Sequence, residues 1–380
     1  MSNILLTGGR ASAALHLARI FQRAGYTVFM AECRRGHLSQ PSRAVRKNFF
    51  VPPSRQQPQA FIQSLINIVS ENKVDLLIPT SEEIFHVTQG CDQIPCTIFA
   101  EPLNKLDALL NKWRFIVSAN EFELRTPETM LLTNQDDLLQ AFAQWRELVL
   151  KPVYSSPAAR TMVLPTMRQA LFSMVFDLHW IAQEHIQGQH YCTFSICHNG
   201  AITAHTTYPV HFTTRQGTVL VFQHIEHPEI FDWVKSYVAK DHFTGQITFD
   251  FIQTPDGKLL GLECKPYASG GLHLLASNPN LVDAFLNPQM DCIFPSNTNS
   301  HMLSTGMIAY GLPAAIMKKQ LWLWLTTFLV SDDVILNYRD PLPFFLQFRN
   351  SLSNLMIARR NRISLLEAST FDIEWNGYNE

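Results

Sequence analysis

The chain has 380 residues, 46% of them hydrophobic and 16% charged, with a formal net charge of −2 at pH 7. This is enough apolar material for a large core spread over two or three domains, and 30 Lys plus Arg against 32 acidic residues gives no bulk electrostatic case for nucleic acid or an anionic membrane. The seven Cys have neither metal-ligand nor disulfide-framework spacing, so reduced thiols in a cytoplasmic protein are expected, and any phosphate binding must be local.

Residues 1–102 alternate strand and helix. Asn3 to Thr7 reads as a strand, Ala11 to Ala24 as a helix stopped by Gly25, Tyr26 to Ala31 as a second strand and Phe61 to Ser70 as a second helix. Val74 to Pro79 has the unbroken apolar character of a strand buried on both faces, with Thr80-Ser81-Glu82-Glu83 capping the helix after it. These elements make a small doubly wound sheet. Gly8-Gly9-Arg10 lacks the G-x-G-x-x-G spacing of a dinucleotide site, which disfavours a dinucleotide-dependent enzyme and points to a tight strand-to-helix turn. Ile4-Leu5-Leu6 is too short an apolar run for a signal peptide.

From Leu103 the texture turns helical, at Leu103 to Leu110 and Lys112 to Asn120, followed by a strand at Glu128 to Leu132. Glu147 to Pro152 is a short apolar strand with Lys151 at its end, before the Ser/Ala-rich loop Val153 to Arg160. A lysine so placed either marks the exit to solvent or projects its ammonium over a phosphate chain that small side chains let approach. Trp180 to Ile186 reads as a buried strand and His190 to Cys197 as the next, with Gln187-Gly188-Gln189 between them. That pattern suits a hinge whose backbone pairs with an adenine edge.

Ile247 to Ile252 and Lys258 to Glu263 are strands around Pro255-Asp256-Gly257. A two-residue Asp256-Gly257 turn predicts Pro255 facing Lys258 and, counting outward, Asp250 facing Glu263. Two carboxylates ~5 Å apart repel by roughly 3 kcal/mol at an effective dielectric of ~20. A cation is therefore expected between them, most economically Mg²⁺ bridging to phosphates; the alternative is a solvated surface hairpin. Phe249, Phe251, Leu260 and Leu262 are expected to form the opposite, apolar face. Ala268-Ser269-Gly270-Gly271-Leu272-His273 reads either as a loop offering backbone N–H groups to an anion or as a tight helix-start turn.

Leu321 to Val330, with Trp322 and Trp324 and a preceding Lys318-Lys319, is far shorter than the ~20 residues of a spanning helix, so no stable membrane insertion is expected; a buried or interfacial helix is, with core packing the preferred of the two. A helix from about Leu346 to Arg359 follows Asp340-Pro341-Leu342-Pro343. The apolar residues of this part suit packing, a lid, a dimer partner or an acyl chain.

In this order the elements resemble the ATP-grasp superfamily, of the carboxylate-amine ligase, carbamoyl-phosphate-synthase-like type. Lys112 in Asn111-Lys112-Trp113-Arg114-Phe115 matches the first nucleotide-binding lysine and Lys151 the second. Gln183-Glu184-His185-Ile186 looks like the adenine hinge, and Asp250 and Glu263 match the first two metal carboxylates. The resemblance implies a fold of class α/β and α+β: a preATP-grasp Rossmann-like domain over 1–102, a two-subdomain ATP-grasp domain over 103–295, and a mainly helical C-terminal extension over 296–380. It implies ATP with Mg²⁺, or Mn²⁺ in its place. The nucleotide contacts would come from Lys112, Lys151, Gln183, Glu184, Ile186 and His190, the last standing where a ribose-side glutamate is usual. The implied chemistry is activation of a small carboxylate as an acyl phosphate for attack by an amine or other nucleophile, in a cytoplasmic protein for which a homodimer remains open.

Two positions depart from the family pattern, because E-x-N-P-R is here Glu263-Cys264-Lys265-Pro266-Tyr267. An ammonium has no lone pair for Mg²⁺. It can contact the same phosphate oxygens, so one metal plus Lys265 is expected. Arg160 and Arg215 are the candidates to recognise an acidic substrate in place of the missing arginine. The alternative is a catalytically impaired ATP-binding protein or scaffold.

Overall fold

The computed structural model describes residues 2–154, 161–174, 179–214 and 218–377. At the N-terminus, β1 (Asn3–Thr7), β2 (Thr27–Glu32), β3 (Lys47–Phe50), β4 (Leu76–Ile78) and β5 (Thr97–Ile98) form a parallel sheet in the order β3-β2-β1-β4-β5. The helices α1 (Ser12–Arg23), α2 (Pro58–Asn72) and α3 (Glu83–Thr88) alternate with these strands. Ile4 and Leu6 pack with Leu17 and Phe21 of α1, while Leu5 packs with Phe61 and Leu65 of α2. Burial on both faces is why β1 reads as a continuous apolar run. Gly8 has φ +75°, and a Cβ there would lie 2.6 Å from Thr80 Oγ1, which is the tight-turn reading of the glycine pair. The cap of α3 differs from expectation: Glu83 itself reaches back, its Oε1 accepting from Thr80 N (3.1 Å) and Ser81 N (3.2 Å).

After α4 (Leu103–Leu110) and α5 (Lys112–Glu121), a second sheet runs β6-β9-β7-β8. It comprises β6 (Thr129–Leu132), β7 (Leu148–Pro152), β8 (Met162–Val163) and β9 (Trp180–Glu184), with α6 (Gln135–Gln144) and α7 (Met167–Ser173) contributing Leu138, Ala141 and Ala170 to its core. The strand expected to reach Ile186 stops at Glu184. A third, antiparallel sheet follows, in the order β11-β10-β13-β14, from β10 (Gln189–His198), β11 (Ala201–Pro209), β13 (Gly245–Gln253) and β14 (Leu259–Lys265). Between β11 and β13 lie the short β12 (Val221–Phe222) and α8 (Pro228–Asp241). Phe249, Phe251, Leu259 and Cys264 pack against Trp233 and Tyr237 of α8 and Phe115 of α5.

The β13–β14 hairpin reaches the expected carboxylate pairing by a different route. Gln253 faces Leu259, Thr254 N donates to Lys258 O, and Gly257 has φ +87°, so the loop is the three residues Pro255-Asp256-Gly257 and not a two-residue turn. By itself that loop would shift the register by one. A bulge restores it: Phe251 faces Gly261 while Asp250 faces Glu263, leaving Leu262 as the extra residue. The expected apolar face changes accordingly. Leu260 faces Ile252 on the carboxylate side, and Leu259, Gly261 and Cys264 replace Leu260 and Leu262 opposite α8. A Cβ on Gly261 would meet the Trp233 ring at 2.7 Å, so the bulge seats a glycine where the helix comes closest.

The remainder holds α9 (Leu272–Leu275), α10 (Leu281–Leu286), β15 (His301–Met302), α11 (Ser304–Gly306), a π-helical turn (Met307–Gly311), α12 (Leu312–Met317), α13 (Leu321–Val330), β16 (Asp332–Asp333), α14 (Leu342–Asn361) and α15 (Leu365–Thr370). The C-terminal part is not helical alone, since β15 and β16 join β12 in a small sheet. Core packing of Leu321 to Val330 is not found: no residue of α13 is buried. The chain then returns to the N-terminal sheet. Arg19 pairs with Asp340 at 3.0 Å, and Arg10 and Arg34 both grip Asp372.

Candidate active site

Five charged side chains from four elements converge where the second and third sheets approach. Lys112 opens α5, and its backbone N–H donates to Val153 O, which ties the helix start to the end of β7. Its buried ammonium lies 3.8 Å from Glu263 Oε2. Lys151, half-buried on β7, donates to Gln183 Oε1 (2.9 Å), and Gln183 in turn donates to Thr129 Oγ1 (3.0 Å), so a buried amide on β9 aims the lysine. On the hairpin, Lys265 bridges the two carboxylates, 2.6 Å from Asp250 Oδ2 and 2.7 Å from Glu263 Oε1. The cation required between the opposed acids is thus a side chain of the same strand.

The electrostatics follow. Burial disfavours the Lys265 ammonium, but Asp250 and Glu263 raise its pKa well above the usual value. Burial also opposes ionisation of Glu263, yet Lys265, Lys112 and Lys151 hold it well below the carboxylate range. Asp250 goes up, through burial and the charge of Glu263, against the pull of Lys265. Burial lowers Lys112 and Lys151, with Glu263 opposing in both cases. Lys112 also feels the buried Glu82 carboxylate, so the three ammoniums lie among three acidic groups.

The hinge lies beside this cluster. Glu184 N and His185 N donate to Glu128 O and Glu147 O, and the Glu184 side chain accepts from Glu128 N at 2.9 Å. Those two donors are spent on the residues just before β6 and β7, so they are not available to a ligand. Gly188 has no alternative here: a Cβ would lie 2.2 Å from Gln253 O, the end of the carboxylate hairpin. His190 faces Ile252, and its pKa is lowered by partial burial and by Lys151, with Asp250 opposing. Arg160 and Arg215 lie outside the described residues.

The glycine loop after the hairpin is a packing device. A Cβ on Gly270 would meet Phe222 at 2.0 Å and one on Gly271 would meet Phe194 at 2.5 Å, while Leu272 N and His273 N already donate to Ser269 O and Gly270 O. The tight-turn alternative therefore holds over the anion loop.

Sequence reasoning missed a second layer behind Lys112. Asp107 accepts from Tyr154 Oη (2.9 Å), Trp375 Nε1 (2.8 Å) and Arg114 (3.0 Å). Glu82 accepts from Trp375 N (3.2 Å) and, at 3.4 Å, from Tyr267 Oη. Tyr267, standing where the family pattern has arginine, joins the hairpin to the loop after β4. Its hydroxyl's partner Glu82 is 185 residues away in sequence, so no local signal could have found that contact.

The donor set bears on a metal. Among the described residues no group of three or more His, Cys, Asp or Glu could hold an ion. Two carboxylates whose nearer oxygens are taken by Lys265 fit one divalent ion completed by phosphate oxygens and water, and do not fit a second protein-held ion. A cavity of about 310 Å³ lies elsewhere, walled by Arg34, Arg35, His37, Phe50 and Arg349 among others, and none of the five cluster residues lines it.

No protein-family model matches the chain, and no curated protein matches it by sequence. Solved structures do match. N5-carboxyaminoimidazole synthetase from Staphylococcus aureus, complexed with ADP, superposes with a TM-score of 0.64 at 11% identity over 84% of this chain and 86% of that one. L-amino acid ligase from Bacillus licheniformis gives 0.59 at 14% identity over 80% of each chain. Biotin carboxylase from Campylobacter jejuni, in a complex with β-γ-ATP, gives 0.59 at 11% identity over 72% of this chain and 67% of that one. At these identities the likeness is one of fold.

Proposed function

We propose, from the ATP-grasp fold that this chain has, that it is an ATP-dependent ligase which activates a small carboxylate as an acyl phosphate for attack by an amine or other nucleophile. The observation that carries this reading is the convergence of Lys112, Lys151 and Lys265 on Asp250 and Glu263. Catalysis of this kind is mostly positioning and charge neutralisation, and needs no protein nucleophile. Lys151, aimed by Gln183, and Lys112, held at the start of α5, would take the phosphate oxygens, while Ile186, with Glu184 and His190 beside it, would hold the nucleoside.

The γ-phosphoryl passes to a carboxylate oxygen as ADP leaves. The nucleophile then adds at the acyl carbon, the bond from that carbon to the phosphate oxygen breaks with its electron pair leaving on inorganic phosphate, and the nucleophile's proton passes to phosphate or solvent. Asp250 and Glu263 would hold Mg²⁺, which when bound would neutralise charge on the phosphates. Lys265 would turn from the carboxylates toward the same phosphates and supply the charge of a second ion. The bridging position of Lys265 also favours a second reading, a nucleotide-binding protein without turnover.

Incubation with ATP, Mg²⁺ and a panel of carboxylic acids and amines, read by phosphate release and product mass, separates the two. Ligation products with ADP and phosphate support the ligase. Saturable ATP binding without phosphate release for any pair supports the silent protein.

A further inference from the structure

The strongest unexplained feature lies far from the reaction in sequence. On α12 and α13, Ile316, Met317, Leu321, Trp322, Leu329 and Val330 are 50–77% exposed. No charged residue occurs from 320 to 331. Only one side of α13 is anchored: Trp324 donates its Nε1 to Met307 O (3.0 Å) and stacks on Phe328 (5.0 Å) against the Phe212 and Leu220 cluster. The consecutive residues Leu321, Trp322 and Leu323 are all at least half exposed, and 100° steps carry them around most of the helix. A helix apolar on nearly every side belongs in a protein core or in hydrocarbon, and here the core is excluded.

Charge accompanies the apolar surface. Lys318 and Lys319 form the turn between the two helices, where Lys319 is left-handed (φ 56°) and Gln320 N donates to Ala315 O. On α14, Phe345, Leu352 and Met356 are more than 60% exposed at helical spacing, ahead of the exposed Arg359, Arg360 and Arg362. Between 307 and 362 the chain has seven Lys or Arg against three Asp and no Glu. Two of those Asp are engaged internally, Asp333 with Ser304 N and Asp340 with Arg19. This local excess is positive within a chain of net charge −2.

We propose that α12 and α13 form a monotopic docking surface for an anionic phospholipid bilayer, entering one leaflet. Among the described residues no helix is long and apolar enough to cross a membrane. Ten residues of α13 measure about 15 Å, half of a ~30 Å hydrocarbon layer. Trp322, exposed and close to Lys318 and Lys319, suits the headgroup boundary, where indole rings sit and ammoniums meet phosphate. A second copy of the chain fits less well. A two-fold contact would bring the same positive charge together twice, whereas anionic headgroups neutralise it.

The test is co-flotation of the full chain with vesicles of phosphatidylcholine alone and of phosphatidylcholine mixed with phosphatidylglycerol. The expected result is binding to the mixed vesicles, reduced by salt, with quenching of tryptophan fluorescence by brominated acyl chains. Trp322→Glu with Leu329→Glu should lower the partition coefficient about tenfold or more, with an unchanged melting temperature because both side chains are solvent-exposed. Trp322→Phe should retain flotation and lose part of the quenching, and Lys318→Glu with Lys319→Glu should abolish the preference for phosphatidylglycerol. Wild-type protein that floats with neither vesicle overturns the proposal, as does flotation insensitive to the Glu pair. A concentration-dependent dimer that Trp322→Glu dissociates, with no flotation, assigns the surface to a second copy instead.

Discussion

Lys151 and Lys265 sit on different sheets and are close enough to repel, but their supports differ. Lys151 is held by one neutral amide, so its charge remains available, and Lys151→Ala should weaken ATP binding by about 1.5–3 kcal/mol, the range of a charge-assisted contact. Isothermal titration of the variant checks this, and an unchanged affinity would remove the lysine from the site. Lys265 is committed to two carboxylates. Wild-type protein should therefore take up a single Mg²⁺ with the nucleotide, and Lys265→Asn, which exchanges an ammonium for a ligating carbonyl, should admit a second. Metal-count titration decides, and a Mn²⁺ anomalous map with two ions in the wild-type site would contradict the expectation. The ladder pairing of Asp250 and Glu263 and the need for a cation between them were legible from residue types. That the cation is Lys265 was not, because a side chain's reach across its own strand depends on the bulge.

At the scale of elements, the hairpin joins two compensating irregularities. A three-residue loop shifts the ladder by one and the bulge at Leu262 shifts it back, and both rest on glycines, Gly257 in the left-handed region and Gly261 under Trp233. Counting from an assumed turn reaches the right pair because the two shifts cancel, but it assigns Leu260 to the wrong face. The hinge depends on the same hairpin through Gly188, whose Cα approaches the backbone of Gln253. Gly188→Ala should force these segments apart, cost about 1–3 kcal/mol in chemical denaturation, the usual range of overpacking, and weaken nucleotide binding because Ile186 moves with the hinge. Normal affinity in a destabilised variant would detach the hinge from the nucleotide.

For the whole molecule, the C-terminal return is what couples the ends. Asp372 is shared by Arg10 and Arg34, its pKa held far down against burial by Arg10 above all, then by Arg34. Asp372→Asn should cost about 3 kcal/mol, the lower end for a broken buried pair because the side chains retain 12–15% exposure; urea denaturation measures it. Acid acts through a different set of groups. Burial pushes His205 and His273 down to about 3 and lowers His16 as well. The unfolded chain then binds more protons than the native one between about pH 6.5 and 3. Stability from these groups is full above pH 6.5 and falls as pH drops, by up to about 1.4 kcal/mol per pH unit for each fully shifted histidine. Denaturation midpoints between pH 7.5 and 4.5 test the slope.

Periodicity and residue type determined the elements that carry the candidate site and their order, though not β3, β5, α6, β11 or α8, because the alternation of apolar residues and the turn glycines are local properties of the chain. They also placed Lys112 at a helix start, Lys151 and Glu263 at strand ends and Asp250 within a strand, which is as far as spacing reaches. Tertiary structure alone decided that Gln183 aims Lys151, that Tyr267 and Trp375 meet at Glu82, and that α13 stays uncovered. Each depends on which segments pack together, 32 residues apart for Gln183 and Lys151 and 185 or more for the Glu82 contacts, and composition carries no record of that: the same eight apolar residues of α13 suit a core or a surface equally until their neighbours are in place.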